Sequence, residues 1–142
     1  MNQVEENTAE PKIVDLKFRH VLVPSIFGLI SGAGADIFLD TAFVMQFALG
    51  GAILFSPLIA LLTKTKVGWE HSLGVAVVCG FEAALWFLGF NYFNTLAVFI
   101  IWVWMCASWW KLPLPPFRYG FWHGFTLSFT TFVGGILAYN LH

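Results

Sequence analysis

Long apolar stretches separated by short polar breaks follow one another along this chain from His20 onwards. A helix that spans a membrane needs about 20 mostly apolar residues. The breaks leave five apolar segments of roughly that length, at residues 20–38, 42–63, 69–90, 95–110 and 119–141. The run KLPLPPFR ends the fourth segment, because two adjacent prolines cannot continue a helix. The pattern predicts an all-α integral membrane protein, folded as a bundle of about five transmembrane helices.

The third and fourth segments form one apolar stretch, so the turn between them has to be placed by residue type. The sequence NYFN at residues 91–94 is the clearest turn signal, because asparagine favours turns and tolerates left-handed backbone. Pro24 and Pro57 lie inside the first two segments, and each removes an amide donor from its helix. We therefore expect kinks at both prolines.

Residues 1–19 form a predicted cytoplasmic tail in front of the bundle, which occupies residues 20–141. Residues 1–10 are polar and acidic, as is typical of a mobile terminus unless a partner binds it. Residues 11–19 fit either a short helix lying on the membrane surface or an unstructured linker.

The composition excludes several classes of protein. Of the 142 residues, 58% are apolar and 11% are charged, and the mean hydropathy is +0.77. Soluble globular proteins carry roughly 25% charged residues, and disordered and nucleic-acid-binding chains also need charge, whereas the net charge here is −1. The expected surroundings are therefore a lipid bilayer, with no nucleic-acid partner.

Basic residues predict the orientation of the bundle. With a cytoplasmic N-terminus, every lysine and arginine falls on the cytoplasmic side: Lys12, Lys17, Arg19, Lys64, Lys66, Lys111 and Arg118. This obeys the positive-inside rule and places the C-terminus outside, in the inner (plasma) membrane of a bacterium or an archaeon. An alternative makes residues 21–35 a signal-peptide core, but the four acidic residues among the first 20 argue against a basic leader.

Small residues indicate where the predicted helices touch. Helices in a membrane associate by close packing and hydrogen bonds, often through GxxxG spacings. Gly28 and Gly32 have this spacing in the first segment, and Gly120 and Gly124 have it in the fifth. They predict a tight bundle, whose partners are copies of itself or other membrane subunits.

Carboxyl groups are the first candidates for function. An ionised group at the membrane centre costs roughly 2.5–3.5 kcal/mol, and Glu82 lies about 20 Å into the third segment. Glu82 is a candidate for proton carriage, for cation binding or for anchorage to a partner subunit, or else it is a neutral acid hydrogen-bonded to a neighbouring helix. Asp36 and Asp40, near the predicted outer surface, are either solvated turn residues or part of a vestibule that attracts cations.

Hydroxyl groups cluster in the middle of the fifth segment, at Ser128, Thr130 and Thr131. Two roles are open for them. They either line a polar path or hydrogen-bond to carbonyl groups of their own helix.

Three histidines stand at the cytoplasmic starts of three predicted helices. They are His20, His71 and His123, with Glu70 beside His71. Imidazoles and a carboxylate at one depth are weak candidates for a transition-metal or haem site, provided that they converge. No spacing such as HxxxH supports a preformed site, so no cofactor is predicted.

The leading functional hypothesis is transport of a small ion or solute, by an oligomer or by a subunit of a larger transporter. One alternative is a non-catalytic accessory or assembly subunit of a larger membrane complex. A weaker alternative is a cofactor-bearing redox subunit, through the histidines. No hydrolase, nucleotide-binding or zinc-protease motif occurs, so an enzyme is not expected.

Overall fold

The computed structural model describes residues 13–39 and 41–141, and every regular element in these ranges is helical. Most of the predicted tail, and Asp40, lie outside the described residues. The helices are α1 (Ile13–Phe38), α2 (Val44–Leu54), α3 (Ser56–Leu62), α4 (Trp69–Phe87), α5 (Asn91–Trp109) and α6 (Pro116–Leu141). The chain is therefore an all-helical protein, as the sequence predicts.

Two of the predicted segments differ from the helices in extent. The first is longer, because α1 begins at Ile13 and continues without interruption through Pro24. The second is broken at Phe55 into α2 and α3, which are bent by 50° relative to each other. Pro57, near the start of α3, has no N–H to donate to the preceding turn, and this explains the predicted kink.

The predicted turn at residues 91–94 is wrong. Helix α4 ends at Phe87, and α5 already begins at Asn91. Between them Gly89 has a φ of +86°, a left-handed conformation that glycine adopts at little cost. The turn therefore forms at the glycine, which leaves both asparagines in the first turn of α5.

Helix α6 is the centre of the bundle, with α1 and α4 packed along it and α2 and α5 beside it. The predicted small-residue faces make these contacts. A Cβ at Gly28 or Gly32 of α1 would overlap atoms of α6, and one at Gly120 of α6 would overlap the backbone of His71 on α4. The three helix backbones therefore touch, with no side chains between them.

Large apolar side chains are frequent on the outside of the bundle, and polar side chains are frequent in its interior beside the apolar core residues. Examples on the outside are Phe93, at 85% exposure, and Leu54, at 81%. The buried polar side chains are His20, Ser56, Thr63, His71, Glu82, Asn94, His123, Thr126, Ser128, Thr130 and Thr131. A soluble protein rarely exposes contiguous apolar surface of this extent.

By length and mean hydropathy, one described helix stands out as a candidate membrane span, over Phe18–Phe38 of α1. The bent pair α2 and α3 would make a second if it is taken as one span. Helix α5 is apolar over the shorter stretch Phe93–Trp109.

Replacing Gly32 by alanine tests the close contact between α1 and α6. The added methyl group overlaps the backbone carbonyl oxygen of Thr131. This oxygen is part of helix α6 and cannot move away as a flexible side chain can. Gly32→Ala should therefore lower the free energy of unfolding by on the order of 1–3 kcal/mol. Thermal unfolding of the purified protein measures this.

Gly34→Ala is the matched control, because a Cβ at Gly34 meets nothing within 4 Å. Alanine has a higher helix propensity than glycine by up to about 1 kcal/mol, so this variant should be as stable as the parent or more so. An equal loss of stability in both variants would show that α1 does not pack on α6 through Gly32.

Candidate functional site

The three histidines predicted to share one depth converge in the interior of the bundle. Nδ1 of His20 lies 3.1 Å from Nε2 of His123, and Nδ1 of His123 lies 2.8 Å from Nε2 of His71. Nδ1 of His71 lies 3.1 Å from the hydroxyl of Ser56, which donates to the hydroxyl of Ser72 at 3.0 Å. We call these five side chains the histidine chain.

Close helix packing brings these rings together. Because Gly120 has no side chain, α6 packs directly against the backbone of His71. For the same reason α4 packs at Gly74 directly against the backbone of Phe117. His123 follows Gly120 by three positions and so lies on the same face of α6, towards α4. Both His71 and His123 are fully buried.

Aromatic side chains of α6 hold the first ring of the chain. The ring of His20 stacks on Tyr119 at a centroid distance of 4.6 Å and lies 5.8 Å from the ring of Trp122. The indole N–H of Trp122 donates in turn to Cys106 on α5, at 3.3 Å. The orientation of His20 is therefore set by stacking as well as by its bond to His123.

The hydrogen bonds of the histidine chain run in one direction. Ser56 donates its only proton to Ser72, so it must accept from Nδ1–H of His71. A neutral His71 then accepts at Nε2 from Nδ1–H of His123, and His123 accepts at Nε2 from Nδ1–H of His20. Each neutral ring therefore carries its proton on Nδ1.

The geometry of the rings is a chain rather than a metal site. Ligands of one metal ion point their donor atoms at a common position, whereas His123 uses a different nitrogen for each neighbour. Glu70 is exposed on α4. Within residues 13–39 and 41–141, no group of three or more His, Cys, Asp or Glu side chains is arranged to hold a metal ion.

Glu82 occupies a second polar site, further along α4. Its side chain is 4% exposed, and Oε2 accepts a hydrogen bond from the side-chain amide of Asn94 on α5. Glu82 and Ser128 border a cavity of about 10 Å³, close to the smallest volume that holds one water. The carboxyl group thus has a hydrogen-bond partner on a neighbouring helix.

The hydroxyl groups of α6 have several different partners. Thr130 donates to the carbonyl of Thr126 in its own helix at 2.7 Å. Ser128 reaches the sulfur of Cys79 on α4 at 3.7 Å. The hydroxyl of Thr131 is buried without a hydrogen-bond partner among the described residues. They do not form one continuous polar path.

Asp36 lies away from both polar sites. It is half-buried at the far end of α1, beside an open cleft of about 750 Å³ that Thr41 and Tyr139 also line. The structure does not bring it near Glu82 or the histidines.

Sequence reasoning missed Ser56 and Asn94. The Pro57 beside Ser56 indicated only a kink, and Asn94 was assigned to a turn. The separation of Glu82 and Asn94 along the sequence was a usable signal. When a short turn joins two helices, an amide early in the second helix can face a carboxyl group late in the first. Ser56 gave no comparable signal, since its contact with His71 depends on the bend between α2 and α3.

A comparison with protein-family models, with curated proteins and with solved structures returns no match. The function has to be inferred from the side chains described above.

Proposed function

We propose that this chain is an integral membrane protein that transports protons, as an oligomer or as a subunit of a larger transporter. Membrane insertion is supported by the apolar outer surface and by the polar side chains buried in the interior. Lipid is the solvent in which that distribution is stable, because exposed Phe and Leu side chains cost nothing there and unpaired polar groups cost most.

Two helices of the proposed bundle have a lower mean hydropathy than the stretch Phe18–Phe38 of α1, for a physical reason. Helices α4 and α6 contain His71, Glu82, His123 and several hydroxyl groups, which lower the average. Those side chains are buried within the bundle. The outward faces of both helices are apolar, as shown by Leu73, Phe81 and Ile136. We therefore propose that the chain crosses the membrane five times, as the sequence predicts, with α2 and α3 together forming one bent span.

The histidine chain supports proton transport because it would carry a proton across the bundle at one depth, from α1 through α6 to α4. Protonation of His20 allows its Nδ1–H to pass to His123. Nδ1–H of His123 then passes to His71, and Nδ1–H of His71 passes to Ser56. The hydroxyl proton of Ser56 then moves to Ser72, which releases its own. One proton is taken up and one is released, and each transfer crosses a hydrogen bond of 3.1 Å or less.

Glu82 is the proposed proton carrier beyond the histidine chain. It lies three helical turns past His71 on α4, about 16 Å further along the helix axis. Cys79 and Ser128 lie between the two sites on the interior faces of α4 and α6. A carboxyl group that is buried and paired with an amide can alternate between its neutral and ionised forms, as proton-carrying acids in membrane proteins do.

An accessory subunit is the second candidate, and the outer face of α5 favours it. Phe93, Leu96, Ile100 and Trp104 share that face and are each at least 58% exposed. Beside it, an apolar groove of about 420 Å³ runs between α4, α5 and α6, with Glu82 and Asn94 among its lining residues. A helix of a larger partner fits such a groove as well as a lipid chain does.

Site-directed labelling tests the proposed topology. In a background of Cys79→Ala and Cys106→Ser, Val67→Cys should react with a membrane-impermeant maleimide only from the cytoplasmic side. Phe90→Cys should react only from outside. Both positions are exposed in the connections on either side of α4. Labelling of both residues from the same side would contradict a membrane-spanning α4.

Proton flux into vesicles tests the function itself. The purified protein, reconstituted with an enclosed pH-sensitive dye and a potassium diffusion potential, should acidify the lumen faster than empty vesicles do. Glu82→Gln keeps an oxygen that accepts the hydrogen bond from Asn94 but cannot ionise. We expect this variant to assemble normally and to lose the flux.

Glu70→Gln is the matched control, since Glu70 is an exposed carboxylate on the same helix. Its flux should equal that of the parent. Full flux in Glu82→Gln would contradict the assigned role of Glu82. Absence of flux in the parent, together with a stoichiometric larger partner in native mass spectrometry, would favour the accessory subunit.

A further inference from the structure

Three lysines surround an open cleft at the end of the bundle where His20 lies. The cleft has a volume of about 650 Å³ and lies between the connection after α3 and the connection before α6. Lys64 and Lys66 line it from the first connection and Lys111 from the second. The charges that the described lining residues contribute are therefore those of the three lysines, which favour an anion.

The backbone at Lys64 is unusual for a lysine. Helix α3 ends in a Schellman motif, in which N–H of Lys64 donates to the carbonyl of Leu61 and N–H of Thr65 donates to that of Ala60. The motif requires a left-handed residue at position 64, and Lys64 has a φ of +58°. Glycine is the usual residue there, because a side chain costs about 1–2 kcal/mol in this conformation. A lysine at such a position indicates that its side chain has a use.

Hydrogen bonds from two threonines modify the carboxyl end of α3 at this cleft. Carbonyl groups at the end of a helix are normally a source of negative potential. Here the hydroxyl of Thr63 donates to the carbonyl of Ile59 at 2.7 Å, and that of Thr65 donates to the carbonyl of Ala60 at 3.2 Å. These bonds occupy two of the last carbonyl groups of α3 and so weaken their repulsion of an anion.

Another stretch of the cleft wall is apolar. It consists of Leu112, Pro113, Leu114 and Pro116, from the connection between α5 and α6 and the start of α6. A ligand that fills the cleft would place a charged group among the lysines and an apolar group against this wall. The exposed Leu112, at 50%, leaves the apolar side open towards the surroundings of the bundle.

We propose that this cleft binds a phosphate group, carried either by an anionic phospholipid of the cytoplasmic leaflet or by a soluble phosphate compound. The lipid source rests on the proposed membrane location, and neither source depends on proton transfer. The lysines bind the phosphate oxygens, and the apolar wall receives the part of the ligand next to the phosphate. The bound anion lies beside His20, where the histidine chain begins.

Native mass spectrometry of the delipidated protein measures the binding directly. Titrations with phosphatidylglycerol and with phosphatidylcholine give the lipid preference, and competition with inorganic phosphate gives the contribution of the free anion. Lys64→Gly and Lys111→Gln should each weaken binding of phosphatidylglycerol about fivefold, as expected for one lysine near an anionic lipid surface. Lys64→Gly should also raise the unfolding temperature, because glycine adopts the left-handed conformation without the strain of a side chain. Weaker binding by this variant therefore cannot be the result of unfolding.

Arg118→Gln is the matched control, a basic residue at the start of α6 that does not line the cleft. Its affinity for phosphatidylglycerol should equal that of the parent. If inorganic phosphate does not displace phosphatidylglycerol, the ligand is the lipid. If inorganic phosphate displaces it, and its own binding is weakened by the same lysine variants, the ligand is a soluble phosphate compound. Equal weakening by Arg118→Gln, or no weakening by either lysine variant, would overturn the proposal.

Discussion

The contact of α6 with α1 and α4, backbone against backbone, is the constraint on which the rest of the structure depends. It exists where glycines of one helix face the backbone of the next, as at Gly28, Gly32, Gly74, Gly120 and Gly134. Larger residues at these positions would hold the helices apart. The histidine rings would then be too far apart for the 2.8 Å and 3.1 Å hydrogen bonds that join them.

A polar interior follows from the same contact. Helices that approach this closely exclude water, and each buried polar group then needs a partner within the bundle. The pairs that result connect different helices: His20 with His123, His71 with Ser56, and Glu82 with Asn94. A buried group that loses its partner costs about 1–3 kcal/mol. These pairs therefore fix the rotation of each helix about its own axis as well as providing titratable groups.

The sequence was most informative where a pattern has a direct physical cause. Apolar segments and the pair Pro115–Pro116 predicted the helices and the break before α6, and the GxxxG spacings predicted the faces that touch. The equal depth of the three histidines was predictable from topology, but their convergence was not, because it depends on the rotation of three helices. The turn was misplaced because asparagine was given more weight than Gly89, the residue that adopts positive φ. Ser56 reaches His71 through a bend whose size no local pattern specifies.

The central claim is that three neutral histidines form one hydrogen-bonded chain in which each ring carries its proton on Nδ1. Solid-state NMR of the ¹⁵N-histidine-labelled protein in lipid bilayers tests it most directly. A His142→Asn variant leaves only His20, His71 and His123. The account predicts that all three rings give the nitrogen shifts of the Nδ1–H form, with couplings across the two ring-to-ring hydrogen bonds. An Nε2–H signal from His71 or His123, or the absence of contacts between the rings, would contradict it.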